Sequence, residues 1–414
     1  MRAKLSALRH WRPGAYARAS ADILVWLVLR AVFQAASVVL LGRELGAAEY
    51  GQFVAALAIT SFFTPLAGLG LQGVVLRDGA RDPAHLPTLL RAALRLWWAS
   101  SLGFGLLAGV AAWVALPLEP VSPWVLLLLG LSEVAASSGV ELLARSRQAR
   151  QHTRAYGVSM AGLSGARFVG LLIYAAFASP TAQGWMMVYS IVSLLYLVVL
   201  RGTTPQPAAQ PGPVPHGLLR AGLPFAVGAL SFRLQAEFNK PVLARLSYAD
   251  VGAYNIAQRV VDLISLPLSA MQESLWPRLF ADSQPGRRLR SALVAMLALA
   301  MLLGGGMAVL APLVPKMLGA DYAPVVAVLI ALAWLPAAQT MRNVGNAALI
   351  TSGRTHTLTR VYVAATLASV ALTLLLVPRY GLLGAVLASY LGEAAAISTQ
   401  GFYLLIKRKG GRHV

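Results

Sequence analysis

The chain of 414 residues contains no cysteine, which excludes a disulfide, a thiolate nucleophile and a cysteine metal site. Charge is scarce: Asp, Glu, Lys and Arg make up 12% of the residues while hydrophobic types make up 57%, a balance outside the range of soluble domains. Histidine occurs six times, as His10, His85, His152, His216, His356 and His413, and each falls between or beyond the apolar runs, so no histidine base or metal site lies within them. There is no Walker A loop, no HExxH and no other catalytic set, and the expectation is a protein that is not an enzyme and has no cofactor and no metal. No gap between the apolar runs has the length of a separate soluble domain, most being under ~20 residues. Function must therefore reside in the apolar runs themselves.

There are twelve of them: 22–41, 51–72, 94–116, 122–143, 157–178, 184–200, 218–243, 252–273, 291–311, 324–350, 357–377 and 382–406. Each approaches the ~20 residues that cross a ~30 Å hydrocarbon core. Twenty-five of the 35 Lys and Arg residues fall in alternate gaps, at the span ends beside them or in the two tails, against four (Arg43, Arg245, Lys316 and Arg379) in the opposite gaps. The positive-inside rule makes the rich side cytoplasmic. Both tails lie on that side only if the number of spans is even, as twelve is. The expectation is a multi-pass protein of the bacterial inner membrane with both termini cytoplasmic, the loop around Gln210 inside and the gap near Glu119 outside. The first run is a full span followed by eleven more and reads as a retained helix, not a cleaved signal. A net charge of +20 would suggest nucleic acid in a soluble protein; here the asymmetry accounts for it, and the basic loops are expected to meet anionic headgroups instead.

Residues 202–217, GTTPQPAAQPGPVPHG, have neither helical nor strand period and read as a Pro-rich cytoplasmic linker. They divide the chain into 1–201 and 218–414, two bundles of six spans each. The halves resemble each other. An offset of 201 residues superposes Leu45 on Leu246, Glu49 on Asp250, Gly51 on Gly252 and Phe53 on Tyr254. The same offset brings Pro65 within one residue of Pro267 and Arg30 within two of Arg233. The fold expected is all-α, two six-helix bundles with pseudo-two-fold symmetry. Such repeats are typical of alternating-access transporters that hold substrate between the halves near the bilayer midplane.

Leu41-Gly-Arg-Glu-Leu-Gly-Ala-Ala-Glu-Tyr-Gly-Gln-Phe53, the span ending Ala67-Gly-Leu-Gly-Leu-Gln72, the element Ala249-Asp-Val-Gly-Ala-Tyr254 and Gly381-Leu-Leu-Gly-Ala-Val-Leu-Ala388 together resemble the polysaccharide flippases. These belong to the multidrug/oligosaccharidyl-lipid/polysaccharide exporter superfamily, and the likeness follows span order over most of the chain. The resemblance implies a flippase of undecaprenyl-diphosphate-linked oligosaccharides for O-antigen or exopolysaccharide synthesis. It further implies a proton or sodium ion as coupling partner, and a polymerase and other glycan-assembly proteins as companions. The motifs are apolar and loose, so a drug or peptidoglycan-precursor exporter of the same superfamily is the alternative. A membrane glycan polymerase or transferase is the reading from a different class, but the large periplasmic loop expected of a polymerase is missing.

Ionisable residues inside the spans are where chemistry is expected, because an Arg at mid-bilayer costs ~2.5–3.5 kcal/mol even on the insertion scale. Arg233 with Glu237 and Arg259 with Asp262 are spaced to pair along one helix face. Arg30, Arg167 and Arg342 have no carboxylate at helical spacing. Given the resemblance, Arg30, Arg233, Arg167, Arg259 and Arg342 are the candidate diphosphate ligands, since a guanidinium stays protonated and forks onto phosphate oxygens. For each, a partner on another helix is the competing reading. Glu133, with no basic residue at helical spacing, and Glu393 are the candidates for ion coupling. Lys240 is expected to snorkel at a span end, Glu141 to pair with Arg145, and Trp97, Trp98, Trp113, Trp124, Trp185 and Trp276 to anchor at the interfaces.

Overall fold

A computed structural model of the chain describes residues 15–117, 120–204, 217–269, 271–272, 285–351 and 355–410. Every regular element among them is helical, as hydrocarbon demands: a helix satisfies its own backbone without water. The expected positions of Glu119 and Gln210, most of the linker, and Glu273 and Trp276 lie outside the described residues.

The first half comprises α1 (Ala15–Phe63), α2 (Leu71–Arg81), α3 (Leu86–Ala115), α4 (Pro123–Ala149), α5 (Thr153–Phe177) and α6 (Ala182–Thr203). The second comprises α7 (Leu218–Glu237), α8 (Asn239–Ala244), α9 (Tyr248–Ile264), α10 (Pro285–Leu310), α11 (Leu313–Leu318), α12 (Pro324–Leu332), α13 (Leu335–Thr351) and α14 (Thr355–Gly410). Seven helical stretches are long and apolar enough to cross a membrane, and an eighth counts if the pair 320–332 and 335–349, bent by 43°, is one span. Two of the seven carry two expected spans each. α1 is broken at Gly46 (φ 71°) and α14 at Gly381 (φ 54°), both where glycine alone tolerates the backbone and both in gaps expected between spans. The gaps 42–50 and 378–381 are thus not loops but single-residue breaks in continuous helix. The two expected spans that fail the simple test are α7–α8 and α9, which carry the densest internal charge. Ten of the twelve expected spans thus meet the test, and the chain is a multi-pass membrane protein.

Large apolar side chains point outward along these helices: Val114, Phe177, Val198 and Val309 are all exposed, as a lipid-facing surface requires. Buried serines such as Ser101, Ser132, Ser190 and Ser193 donate to carbonyls three or four residues back on their own helix, so they cost the bundle nothing in unpaired polar groups.

The halves come into backbone contact through glycine. A Cβ at Gly51 would fall 1.8 Å from the Tyr248 carbonyl oxygen, and one at Gly252 would fall 2.4 Å from that of Ala47. The contact is reciprocal: Gly51 and Gly252, and Ala47 and Tyr248, are related by the same offset of 201, so the repeat motifs cross each other on the pseudo-two-fold axis. This crossing lies on the basic-poor side. A second contact lies on the basic-rich side. The expected second span breaks at Pro65 into a 3₁₀ segment, Thr64–Gly70, in which Leu69 has φ 53° and Gly70 φ 77°. There a Cβ at Gly70 would meet the Gly222 carbonyl at 2.2 Å, and one at Gly222 the Leu69 carbonyl at 2.3 Å. Between the two contacts the halves enclose a cavity.

Candidate functional site: a cationic cavity between the halves

The cavity has about 350 Å³ of free space. Its wall comes from α1 (Arg30, Gln34, Tyr50, Phe53), α4 (Glu133, Glu141), α5 (Arg167), α6 (Trp185, Tyr189), α7 (Arg233, Glu237), α8 (Lys240) and α9 (Asn255, Arg259). Five cations thus face three carboxylates. Four of the five expected phosphate ligands, Arg30, Arg167, Arg233 and Arg259, line it, as does Glu133; Arg342 and Glu393 are not in its wall.

Pairing divides the cations into two kinds. Glu133 is nearly closed off from solvent and accepts three hydrogen bonds: from Arg167 Nη2 at 2.9 Å, the Tyr189 hydroxyl at 2.7 Å and Ser137 Oγ at 2.8 Å. The Arg167 guanidinium also sits 4.0 Å from the Tyr189 ring centroid and donates from Nε to Ser193 Oγ at 2.8 Å. The two charges that lack helical neighbours on their own helices therefore find each other across α4 and α5. Glu237 pairs with Lys240 and, at 3.6 Å, with Arg259. The expected Glu237–Arg233 pair is not formed. α7 ends at Glu237 and α8 starts at Asn239, and the restart brings Lys240 onto the carboxylate. Lys240 accordingly does not snorkel: it is 1% exposed. The Arg259–Asp262 pair forms as expected at 3.3 Å, and so does Arg145–Glu141 at 3.3 Å.

Arg30 and Arg233 are different. Neither has an ion-pair or hydrogen-bond partner among the described residues, although both line the cavity. Outside the cavity, in the second half, Arg342 Nε and Glu393 Oε2 approach to 2.9 Å, close enough for an ion pair though not aligned as a hydrogen bond. Gln400 braces that site, donating to the Arg342 carbonyl at 3.0 Å and to Asn346 Oδ1 at 2.7 Å.

Several wall residues were not anticipated as site residues from sequence. Asn255 Nδ2 donates to the Tyr50 hydroxyl at 2.6 Å across the halves. Phe53, Trp185 and Tyr189 pack edge to face, with centroids 6.0 Å (Phe53–Trp185), 5.8 Å (Trp185–Tyr189) and 5.4 Å (Phe53–Tyr189) apart. Trp185 is 2% exposed, so it is a wall of the cavity and not an interfacial anchor. Trp97 is not an anchor either: it is buried in the first half and donates from Nε1 to Ser138 Oγ at 2.8 Å. Three lining side chains carry buried polar atoms without a partner: Thr64 Oγ1, Trp185 Nε1 and Asn255 Oδ1. Tyr50 lies inside the first repeat motif and Asn255 immediately follows the second, which is the only signal in the sequence that could have placed them at the interface.

No family model and no curated protein sequence matches this chain. Among solved structures it is similar to an inward-facing multidrug resistance MATE family transporter of the MOP superfamily, with a TM-score of 0.69 at 14% identity over 94% of this chain and 99% of that one. It is similar to the lipid II flippase MurJ in an inward closed conformation, with a TM-score of 0.66 at 13% identity over 92% and 87% of the two chains. The MATE multidrug transporter DinF-BH gives 0.65 at 14% identity over 96% and 97%. The chain therefore has the two-lobed helical fold that these MOP-superfamily proteins share.

Proposed function

We propose that the chain is an alternating-access transporter that flips undecaprenyl-diphosphate-linked oligosaccharides across the bacterial inner membrane for O-antigen or exopolysaccharide synthesis. The observation that carries this reading is the pair Arg30 and Arg233, one from each half, both lining the cavity and both without an ion-pair partner among the described residues. Desolvated cations kept unpaired are costly, and a ligand that brings two negative charges removes the cost. A diphosphate does so with oxygens that match the guanidinium fork. The surplus of cations in the wall favours an anionic substrate over a cationic drug. In this reading Arg167 and Arg259, already held by carboxylates, are secondary ligands, and Arg342 contributes from the second half only through its pair with Glu393. Glu133 and Glu393 are the carboxylates through which a proton or sodium ion would couple.

The two halves, 1–201 and 218–414 joined by the 202–217 linker, would rock about the cavity, with both termini and the basic-rich loops on the cytoplasmic side. The polyprenyl tail stays in lipid while the head group travels through the cavity. A peptidoglycan-precursor exporter shares the diphosphate chemistry and is the second reading, supported by the likeness to a lipid II flippase.

The test is complementation of a flippase-deficient strain by Arg30→Ala, Arg30→Lys and Arg233→Ala at verified membrane levels. Each alanine variant is expected to export glycan ~10–100-fold less than the parent, with partial rescue by Lys, since a charge-assisted contact is worth a few kcal/mol. Wild-type export by both alanine variants would rule out the diphosphate role. Rescue of a lipid II flippase mutant, but of no polysaccharide flippase mutant, would favour the second reading.

A further inference from the structure

The basic-poor end of the cavity carries a different chemistry from the arginine level. Tyr50 and Phe53 lie four and seven residues past the break at Gly46, and Asn255 lies eight past Ser247, which caps the start of α9. Trp185 lies near the start of α6. At 1.5 Å per helical residue Tyr50, Phe53 and Asn255 lie about 6–12 Å in from the basic-poor ends at Gly46 and Ser247, level with the crossing of the halves, whereas Arg30 and Arg233 lie about 21–24 Å in from the same ends. The arginine level and this end are therefore separate stations along one cavity.

Two lining side chains of this end carry a buried polar atom without a partner: the Trp185 Nε1 donor and the Asn255 Oδ1 acceptor, on side chains 2% and 3% exposed. Buried polar groups are nearly always satisfied, so a complementary orphan donor and acceptor in one cavity wall point to a ligand that supplies both. Beside them Phe53, Trp185 and Tyr189 brace one another edge to face into a rigid aromatic wall. No unpaired charge is present there among the described residues: the Tyr50 hydroxyl is bound by Asn255, Glu133 pairs with Arg167, and Arg259, one turn past Asn255, is held by Glu237 and Asp262.

We infer that the Tyr50, Phe53, Trp185 and Asn255 end of the cavity is a subsite for an uncharged sugar ring, with Trp185 Nε1 donating to one sugar oxygen and Asn255 Oδ1 accepting from a hydroxyl. A hydroxyl both donates and accepts, which is the complement the two orphans require. The aromatic wall receives the apolar C–H face of the ring. A charged peptide stem or a further phosphate would bring ions to a station with no free counter-charge and would be penalised for desolvation. This inference rests on the proposed diphosphate-linked substrate and adds to it the order of the head group: diphosphate at the arginines, neutral sugar toward the crossing of the halves.

The experiment measures binding of two probes, undecaprenyl diphosphate and undecaprenyl diphosphate carrying a neutral disaccharide, to the full-length protein in lipid nanodiscs. The parent protein is expected to bind the glycosylated probe at least ~10-fold more tightly than the bare one. Trp185→Phe, which keeps an aromatic ring but loses the N–H, and Asn255→Leu are each expected to shrink that preference ~3–10-fold, the range of one hydrogen bond. Equal affinity of the parent for the two probes overturns the inference, and so does a full preference retained in both variants. If one variant fails to accumulate, the other and the parent comparison decide the question. Arg30→Ala and Arg233→Ala distinguish this from failure of the underlying reading: they are expected to weaken both probes alike. If they bind both probes as the parent does, the diphosphate assignment fails instead.

Discussion

The two halves carry the same repeat motif and cross through it reciprocally, yet they use their buried charges differently. In the first half Glu133 and Arg167 sit in the cavity wall, held by Tyr189, Ser137 and Ser193. In the second half Arg342 and Glu393 form a comparable pair that is not in that wall and is braced by Gln400 and Asn346. The symmetric scaffold therefore does not imply a symmetric site. The axis is specified by backbone contact at Gly51 and Gly252, where side chains are excluded, and each half remains free to vary the side chains it presents elsewhere.

Breaking the shared element should have the largest effect. Gly51→Leu places a side chain where a carbonyl oxygen already stands 1.8 Å from the would-be Cβ, on rigid backbone. Loss of monodisperse protein in fluorescence-detected size-exclusion chromatography is expected. Gly305→Leu in the second half, which meets nothing within 4 Å, is the matched control and should accumulate normally. Next is Glu133→Gln, which leaves Arg167 buried without its counter-charge; such a break costs about 3–5 kcal/mol and should appear as a large drop in apparent melting temperature. Equal stability of parent and variant would mean that the Tyr189 and Ser193 contacts alone hold Arg167.

Glu393→Gln sharpens the comparison between halves. A destabilisation of about 3 kcal/mol or less is expected, since the pair is less completely enclosed, and diphosphate-probe affinity measured on the folded fraction should stay within about twofold of the parent. A tenfold loss of affinity would bring the second-half pair into the substrate path. The smallest effect is expected from Arg145→Ala. It breaks a partly exposed pair with Glu141 and a ring contact with Tyr156, and should change stability by about 0.3–1 kcal/mol and transport within assay error.

Much of the fold was legible because bilayer thickness turns composition into geometry. Twelve apolar runs, the alternation of Lys and Arg, and the offset of 201 led to the two-lobed bundle without reference to any contact. The site was legible only in outline. Helical spacing relates a residue to neighbours on its own helix, so Arg259 and Asp262 could be paired in advance whereas Glu133 and Arg167, 34 residues apart, could not. Lys240 was misplaced because nothing in the local sequence announces that α7 stops at Glu237 and restarts at Asn239. Trp185 was misplaced because an aromatic near a span end ordinarily faces the headgroups; only the packing of α6 against α1 turns it inward.

The crossing at Gly51 and Gly252 has a mechanical consequence. Two backbones that touch with no side chain between them can roll on each other but have no layer to shear through, so the contact acts as a fulcrum. Arg30 and Arg233 stand about 14–16 Å further along the cavity from it, by helix rise alone. A roll of ~10° about that point would therefore move the arginines apart by about 2.5 Å, close to the whole length of a charge-assisted hydrogen bond. In the proposed mechanism a motion hardly visible at the fulcrum would thus engage or release both guanidinium forks together, so that grip on the ligand would be set by angle and not by any rearrangement of the binding side chains.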